Sequence, residues 1–327
     1  MARKLEVARE VWPIRGTFRI SRGSRTHAEV LVVRIREGRF VGVGECVPYA
    51  RYGETIERSQ AAIEAMRGLV ERDGSRNQLA NALVAGAARN AIDCALWDLE
   101  AKTAGKRVWE LAGLPAPGAV VTAYTLSVDT PENMAAAAKA AAKRPLLKIK
   151  LTGEGDLLRV AAVRNAAPKS RLIVDANEAW DIKTYRKFAP ELATLGVDLI
   201  EQPLHAERDA KLAGADHPVP VCADEACHGT SSLKALKGKY QAINIKLDKT
   251  GGLTEALKLR AAARKAGFKN MVGCMVGTSL SMAPAHVLAQ GAEWADIDGP
   301  LLLDRDRKPG LVYKGSNVLP PEAELWG

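Results

Sequence analysis

The chain has 327 residues, of which 47% are hydrophobic and 26% charged, as is typical of a globular protein with one large domain or two of ordinary size. Its net charge of +9 comes from dispersed basic residues, and only 5% of the residues are aromatic, which argues against nucleic-acid binding. The sequence shows no apolar run long enough to span a membrane, no apolar signal segment at its start and no CxxC pair among five scattered cysteines, so we expect a cytoplasmic protein without a zinc cluster or disulfides.

The first part of the chain predicts a small antiparallel sheet followed by helices. Strand-like alternation occurs at residues 3–12, 28–36 and 40–45. We expect an arginine-rich loop at residues 13–26 and a second loop at residues 46–54. Helical patterns cover residues 55–70, with Thr55 as the N-cap, and 81–102. Glycines and prolines between Gly105 and Gly118 mark a boundary, so we predict an α+β capping domain over residues 1–118.

Strands and helices then alternate at a spacing of about 25 residues. Eight strands are predicted, at residues 120–126, 146–151, 171–177, 199–203, 219–225, 242–247, 270–275 and 295–300. Helical patterns lie between most of them, at residues 131–143, 156–166, 184–195, 253–266 and 280–289. This alternation predicts an α/β fold with a closed (β/α)8-type barrel, a modified TIM barrel, over residues 119–310. The alternative is an open doubly wound sheet, but no GxGxxG motif follows the first strand. We expect the tail, residues 311–327, to return to the capping domain.

Three acidic residues end three consecutive predicted strands. Asp175, Glu201 and Asp224 are separated by 26 and 23 residues, which is one strand–helix unit in each case. Active sites of such barrels lie at the carboxyl ends of the strands, so these side chains are expected to meet. Three buried carboxylates cannot all stay ionised without a cation, and oxygen ligands with open positions indicate Mg²⁺. We therefore predict one Mg²⁺ per subunit on these residues.

Lysines occupy the ends of two other strands. Lys148 and Lys150 project from one face of an apolar strand, an arrangement that is costly to bury unless that face meets anions. A solvated edge strand is the alternative. Lys246 ends the sixth strand, four strands away, and so lies opposite in an eight-stranded barrel. Lys150 and Lys246 are thus candidates to remove a proton from one face of a carbon and return one to the other. A lysine that acts as a base must be neutral, so we expect burial and nearby cations to lower its pKa.

The ordered motifs also carry a family resemblance. They are Lys148-Ile149-Lys150, Val174-Asp175-Ala176-Asn177, Ile200-Glu201-Gln202-Pro203, Ala223-Asp224-Glu225 and residues 243–252, which include Lys246 and Asp248. Over nearly the whole chain the sequence resembles the enolase superfamily, in its muconate-lactonising subgroup, and within it the dipeptide epimerases of the L-Ala-D/L-Glu type. The resemblance implies an isomerase that moves a proton through an enediolate with Mg²⁺. It also implies capping loops that close over the barrel, and places Asn177, Glu225 and Asp248 next to the metal ligands.

The resemblance further implies which residues hold the substrate. Asp296-Ile297-Asp298 resembles the feature with which dipeptide epimerases hold the α-ammonium group, and Thr125 and Lys148 would lie near the substrate carboxylate. One segment departs from many relatives: residues 275–279 read Met-Val-Gly-Thr-Ser, where an acidic residue is common. The substrate is expected to be a small molecule, a dipeptide with an acidic residue, with murein peptides as the expected source. Neither nucleic acid nor a membrane is an expected partner, and a homo-oligomer remains open.

The arginines are the candidates for recognising that acidic residue. We expect one of them to pair with the carboxylate of a second-position glutamate, although a solvated surface would also explain them: Arg15, Arg19, Arg22, Arg25 or Arg51. The nearest alternative activity is an N-acyl amino acid racemase, for example on N-acetylglutamate, which would not need Asp296 and Asp298. Two further alternatives are a cycloisomerase with one basic lysine and a non-catalytic binding barrel.

Overall fold

The computed structural model describes residues 3–327. Its first part is a three-stranded antiparallel sheet covered by helices, which confirms the predicted α+β capping domain. The strands are β1 (Lys4–Ile20), β2 (Gly23–Glu37) and β3 (Phe40–Cys46), and the helices are α1 (Ile56–Ala65), α2 (Arg67–Glu71), α3 (Arg76–Ala82), α4 (Ala87–Ala104) and α5 (Val108–Leu111). Thr55 caps α1 as predicted, because its side chain accepts a hydrogen bond from the Arg58 backbone. Gly44 lets α4 approach the sheet, since a Cβ there would lie 2.2 Å from the Ala91 carbonyl oxygen.

Residues 13–26 form a β-hairpin, so the prediction of a loop there was wrong. Beyond a register shift between Pro13 and Phe18, the strands continue to pair, Phe18 with Arg25 and Ile20 with Gly23. Apolar side chains at even positions, Ile14, Phe18 and Ile20, alternate with polar ones, which is the pattern of a strand. Four arginines within eleven residues make the segment so polar on average that the alternation is easily missed in the sequence. The hairpin therefore projects as a continuation of the capping sheet.

Eight parallel strands form the barrel, which confirms the predicted fold class. After the short strand β4 (Val120–Val121) they are β5 (Tyr124–Leu126), β6 (Leu146–Lys150), β7 (Arg171–Asp175), β8 (Val197–Glu201), β9 (Val221–Ala223), β10 (Ala242–Ile245), β11 (Lys269–Gly273) and β12 (Trp294–Asp296). Each strand pairs with the next along the chain. A parallel bridge between Thr122, just before β5, and Ala295 of β12 brings the two ends of the barrel sheet together.

Helices connect and follow the strands of the barrel. They are α6 (Pro131–Ala140), α7 (Asp156–Ala166), α8 (Ile182–Thr194), α9 (Leu233–Leu236), α10 (Leu247–Thr250), α11 (Leu253–Lys265), α12 (Ser279–Leu288) and α13 (Gly299–Leu302). The connection from β8 to β9 carries a 3-10 helix, Ala206–Leu212, in place of an α-helix. Within residues 3–327, none of the helices combines the length and the apolar character that a membrane crossing needs.

The last residues of the chain contact both parts of the molecule. Two short strands, β13 (Tyr313–Lys314) and β14 (Asn317–Val318), pair with each other, and β14 also pairs with β4 at the barrel. Trp326 is fully buried, and its indole nitrogen donates to the Cys94 carbonyl of α4 at 3.1 Å. The division at residues 118 and 310 stays a prediction.

Asp248 lies between the capping domain and the barrel. Its Oδ1 accepts hydrogen bonds from the Val47 backbone at 3.1 Å and from Asn90 Nδ2 at 2.8 Å, both in the capping domain. Burial raises its pKa from 3.8 to about 7, with the charges of Glu54 and Glu45 adding to the effect. The contacts of Asp248 thus join the two parts of the molecule, and its place next to the metal ligands stays a prediction.

Replacing Asp248 by asparagine should flatten the pH dependence of stability. Because the pKa of Asp248 is raised on folding, the folded protein binds this proton more tightly than the unfolded chain between about pH 4 and 7. The wild-type protein thus loses stability as pH rises through that window, by at most about 4 kcal/mol. The asparagine side chain keeps the accepting oxygen without the charge, so Asp248→Asn should be the more stable protein at pH 8. Urea unfolding at pH 5 and pH 8 measures this, and the same pH dependence in both proteins would contradict the assignment.

Candidate active site

The inner face of the barrel sets the position of every charged residue in the candidate site. An apolar layer of one side chain per strand fills the barrel near the amino ends of the strands: Ala123, Leu146, Ile173, Leu199, Cys222, Ala242, Met271 and Trp294. Side chains two residues apart share a face of a strand. Residues two and four positions beyond this layer therefore also point inward, towards the carboxyl ends. Nine charged residues lie at these positions or close to them, and we call them the charged layer: Lys148, Lys150, Asp175, Glu201, Asp224, Lys246, Lys249, Asp296 and Asp298.

The three predicted metal ligands lie together on adjacent strands. Asp175 and Glu201 are direct register partners on β7 and β8. Glu201 pairs with Cys222 on β9, so Asp224 lies two residues further along its strand. This step follows the stagger that a closed barrel requires. All three side chains are buried.

Each catalytic lysine candidate contacts a different carboxylate. Lys150 Nζ lies 2.6 Å from Asp175 Oδ2, and Lys246 Nζ lies 2.7 Å from Asp224 Oδ2. Both lysines line the same cavity, from β6 and from the end of β10. β10 is the fourth strand after β6 in the barrel of eight, so the two ammonium groups reach the cavity from opposite sides of the barrel.

Lys148 is the central cation of the charged layer. Its fully buried ammonium lies 2.6 Å from Glu201 Oε2, 2.7 Å from Asp296 Oδ2 and 3.3 Å from Asp175 Oδ2. Burial opposes its charge, but these carboxylates raise the pKa of Lys148 well above its ordinary value. The solvated edge strand considered for this segment is therefore wrong.

The carboxylates fit a divalent cation in donor chemistry. Glu201 Oε2 is buried and makes no hydrogen bond, even though the Lys148 ammonium is close to it. As the side chains stand, no three His, Cys, Asp or Glu groups of residues 3–327 converge closely enough to hold a metal, and lysine ammonium groups lie against the carboxylates. Hard oxygen donors of this kind suit Mg²⁺. Asp175, Glu201 and Asp224 are thus the residues that would hold it.

The pKa of Lys246 is raised, opposite to the lowering expected for a base. Burial lowers it, but the charges of Asp224 and Glu201 outweigh burial. The effect is mutual: Lys246 and Lys249 overcome burial and hold the pKa of Asp224 well below its usual range. These ion pairs keep Lys246 protonated for as long as its ammonium is the counter-charge of Asp224.

A cavity of about 430 Å³ lies between the charged layer and the capping domain. Lys150, Lys246, Asp224 and Asn177 form its floor on the barrel side. The β1–β2 hairpin and residues 47–51 cover it from the cap, and the segment after β11 contributes Cys274, Met275 and Val276. Both predicted specificity segments thus meet at one cavity, although the first is a hairpin. Its size suits a ligand as small as a dipeptide.

The structure separates the candidate arginines into three groups. Arg22 and Arg51 line the cavity but are bound to protein carboxylates, Arg22 to Glu225 at 2.7 Å and Arg51 to Glu178 at 2.7 Å. Arg25 also lines the cavity and, among the described residues, forms no ion pair; its guanidinium lies 5.5 Å from the centre of the Tyr49 ring. Arg15 and Arg19 are exposed and do not line the cavity.

The remaining predicted substrate residues belong to β5 and to the carboxyl end of β12. Asp298 Oδ2 accepts a hydrogen bond from the Thr125 backbone at 2.7 Å, and Asp296 binds Lys148. Burial, followed by the charge of Asp296, raises the pKa of Asp298 to about 7. Thr125 and both aspartates are buried, and none of the three lines the cavity as it stands.

Several contributors were missed in the sequence. Lys249 Nζ binds Asp224 Oδ1 at 2.6 Å, and Asn244 Nδ2 binds Glu201 Oε1 at 2.7 Å. Gln202 Oε1 accepts a hydrogen bond from the backbone N–H of Asp224 at 2.9 Å. The strand alternation could have revealed Asn244, which lies two residues from the inward-facing Ala242. Glu178, the partner of Arg51, gave no signal of its own because it follows its strand in an irregular turn.

Curated relatives resemble the chain over almost its full length. The L-Ala-D/L-Glu epimerase of Escherichia coli (strain K12) is 46% identical over 315 residues, covering 95% of this chain and 98% of the relative. The N-acetyl-D-glutamate racemase of a Pseudoalteromonas species is also 46% identical, over 302 residues, covering 91% of this chain and 95% of the relative. The chain is thus equally similar to a protein named for a dipeptide and to one named for an N-acyl amino acid.

Solved structures extend the comparison to ligands. An enolase family member from Agrobacterium tumefaciens with homology to dipeptide epimerases, solved with sodium, L-Ala-L-Glu and an ordered loop, is 54% identical, with a TM-score of 0.98 and coverage of 99% of this chain and 100% of that one. A dipeptide epimerase from Enterococcus faecalis, complexed with Mg and L-Leu-L-Tyr, is 30% identical, with a TM-score of 0.90 and coverage of 98% of each chain.

Family assignments cover both parts of the fold. Residues 2–113 match the mandelate racemase/muconate lactonizing enzyme N-terminal domain, and residues 133–323 match the enolase C-terminal domain-like family. Together these matches cover most of the capping domain and the barrel from α6 onwards, including the whole charged layer. The chain therefore belongs to the mandelate racemase/muconate lactonizing enzyme group of the enolase superfamily, as its ordered motifs predicted.

Proposed function

We propose that the protein is a Mg²⁺-dependent epimerase of dipeptides that carry an acidic second residue, such as L-Ala-L-Glu. The observation that carries the proposal is the placement of Lys150 and Lys246. They reach one cavity from opposite sides of the barrel, so a carbon held between them is open to proton transfer on both faces. The proposal includes a cytoplasmic location, supported by five free cysteines.

Each lysine has a defined task in this reaction. One removes the α-proton of the second residue, and the other delivers a proton to the opposite face, which inverts the configuration. Mg²⁺ on Asp175, Glu201 and Asp224 would supply positive charge that stabilises the enediolate and replaces the lysines as counter-charge of these carboxylates. Lys246, relieved of its pairing with Asp224, would lose the interaction that keeps it protonated. Lys148 keeps its contact with Asp296 and holds its positive charge near the substrate carboxylate.

Replacing either lysine should stop epimerisation. In Lys150→Ala and Lys246→Ala one face of the α-carbon has no acid or base, so we expect kcat to fall by a factor of about 10³ or more. The lysine that remains can still exchange the α-proton of one epimer with solvent. Proton NMR of L-Ala-L-Glu and L-Ala-D-Glu in D₂O measures both events. Epimerisation at near wild-type rate in either variant would contradict the two-base mechanism.

Arg25 is the arginine that fits recognition of the acidic side chain. It lines the cavity and has no protein carboxylate as partner among the described residues, whereas Arg22 and Arg51 are engaged by buried glutamates. Its hairpin position places it opposite Phe18, which also lines the cavity. An apolar wall with one unpaired guanidinium suits a glutamate side chain, with methylenes that pack and a carboxylate that pairs.

Replacing Arg25 by methionine should change substrate preference more than the rate on neutral substrates. For Arg25→Met we expect kcat/KM for L-Ala-L-Glu to fall by about 10- to 100-fold, as for loss of a charged hydrogen bond, and that for L-Ala-L-Leu to stay within a few-fold. Arg19→Met is the matched control, since Arg19 belongs to the same hairpin but does not line the cavity. An equal loss on both dipeptides, or the same effect in Arg19→Met, would contradict this role.

A second candidate function is an N-acyl amino acid racemase acting on N-acetylglutamate. One observation favours it: Asp296 is already paired with Lys148, so its charge is not free for a substrate ammonium group. Against it, Asp296 and Asp298 form a buried acidic pair with one lysine partner, and an α-ammonium group beside this pair would favour the ionised form of Asp298.

Comparing a free amine with an acylated amine tests the proposed function directly. We expect kcat/KM for L-Ala-L-Glu to exceed that for N-acetyl-L-glutamate by at least about 100-fold, because a buried carboxylate favours a cationic partner. Asp298→Asn should reduce the dipeptide value and leave the N-acetyl value nearly unchanged. If N-acetyl-L-glutamate is the better substrate of the wild-type enzyme, the racemase assignment replaces the epimerase.

A further inference from the structure

A strained turn follows the first predicted metal ligand. Asn177 and Glu178 adopt φ angles of +44° and +68°, a left-handed conformation that is uncommon for residues other than glycine. Such backbone persists where surrounding contacts hold it, and it is concentrated at functional sites. On the barrel side, the Asn177 backbone donates to Asp175 Oδ1 at 2.9 Å, and the Glu178 backbone donates to the Gln202 carbonyl at 2.9 Å. The turn is thus bound directly to the Asp175 carboxylate.

The same turn meets both capping segments that cover the cavity. The Asn177 carbonyl accepts hydrogen bonds from Arg22 Nη1 at 2.8 Å and from Ser21 Oγ at 3.0 Å, at the tip of the hairpin. The Glu178 carboxylate accepts two hydrogen bonds from Arg51 of the second capping segment, at 2.7 and 2.8 Å. Two consecutive residues therefore connect the hairpin, the second segment and Asp175.

Glu178 depends on these capping contacts for its charge. Its side chain is 4% exposed, and a buried carboxylate is costly unless charged donors surround it. Arg51 binds it in a bidentate manner, Arg22 Nη1 lies 3.3 Å away, and the Ala206 backbone donates at 2.8 Å. Both guanidinium groups belong to the cap. If the capping segments moved away from the barrel, Glu178 would keep only one of these contacts, the hydrogen bond from the Ala206 backbone.

We propose that Glu178 is a positioning residue that couples closure of the two capping segments over the cavity to the orientation of Asp175. The inference rests on the proposed function, since it concerns the same cavity. When the capping segments are closed, their arginines balance the charge of Glu178 and hold the left-handed turn. The turn held in this way directs the Asn177 backbone N–H towards the Asp175 carboxylate. Weakening the carboxylate should therefore loosen the cap and disturb the predicted metal ligand together.

Glu178→Gln tests this coupling, because glutamine has the same shape and still accepts a hydrogen bond from Arg51. We expect amide hydrogen exchange to become faster in residues 18–25 and 47–53, and the Mg²⁺ dissociation constant measured by calorimetry to rise. For L-Ala-L-Glu we expect KM to rise by about tenfold, with a smaller change in kcat. The matched control is Glu100→Gln, which disrupts a bidentate pair with Arg76, a residue that does not line the cavity.

The outcomes separate the coupling from a general loss of stability. Unchanged exchange in both segments and unchanged Mg²⁺ affinity in Glu178→Gln, relative to Glu100→Gln, would overturn the proposal. Glu178→Asp, which keeps the charge but shortens its reach, should show the same pattern and serves if the glutamine variant does not fold. Exchange and Mg²⁺ binding need no turnover, so they decide the coupling even if L-Ala-L-Glu is not a substrate. Absence of turnover by the wild-type protein would contradict the proposed function alone.

A double variant provides an independent check. If Arg51 acts through Glu178, Arg51→Gln and Glu178→Gln should each speed exchange of residues 18–25, and the double variant should add little to either single change. Fully additive effects on that segment, which Arg51 does not belong to, would contradict the coupling.

Discussion

The balance of buried charge in the barrel mouth is the constraint on which the rest of the structure depends. Five carboxylates and four lysines of the charged layer lie on an apolar layer, away from bulk water. Charges in such surroundings are tolerated only with partners at contact distance, and here each of the four lysines lies 2.6–2.7 Å from at least one carboxylate. The same balance makes the site responsive, because added positive charge near the carboxylates would weaken the ion pair that keeps Lys246 protonated. Structure and reactivity thus have one electrostatic origin.

The barrel and its charged layer could be predicted from the sequence because they follow strict periodicities. Strand alternation with a period of two places Leu146, Lys148 and Lys150 on one face, and the strand–helix unit of about 25 residues aligns Asp175 with Glu201. These rules need only local sequence. By the same rules, Asn244 was predictable as an inward-facing residue.

Interactions between distant segments could not be predicted in this way. The roles of the arginines depend on which carboxylate lies across the cavity, and Glu225 and Glu178 are more than a hundred residues from Arg22 and Arg51. Likewise, Asp248 belongs to a family motif in the sequence, but its partners come from the capping domain. The hairpin was misread for a local reason: its charged residues resembled a solvated loop. Long-range pairing, and not local preference, determines which cations remain available to a ligand.

The hairpin that covers the cavity has a consequence for how substrate preference can diversify. Because β1 and β2 are joined by regular backbone hydrogen bonds beyond the register shift, the arm keeps its shape when side chains change. Phe18, Ile20 and Arg25 line the cavity from this arm, while the two candidate catalytic lysines belong to the barrel. Single substitutions on the hairpin can therefore change which substrate is bound, while the lysines of the barrel stay the same. In this architecture, selectivity and reaction type are free to evolve at different rates.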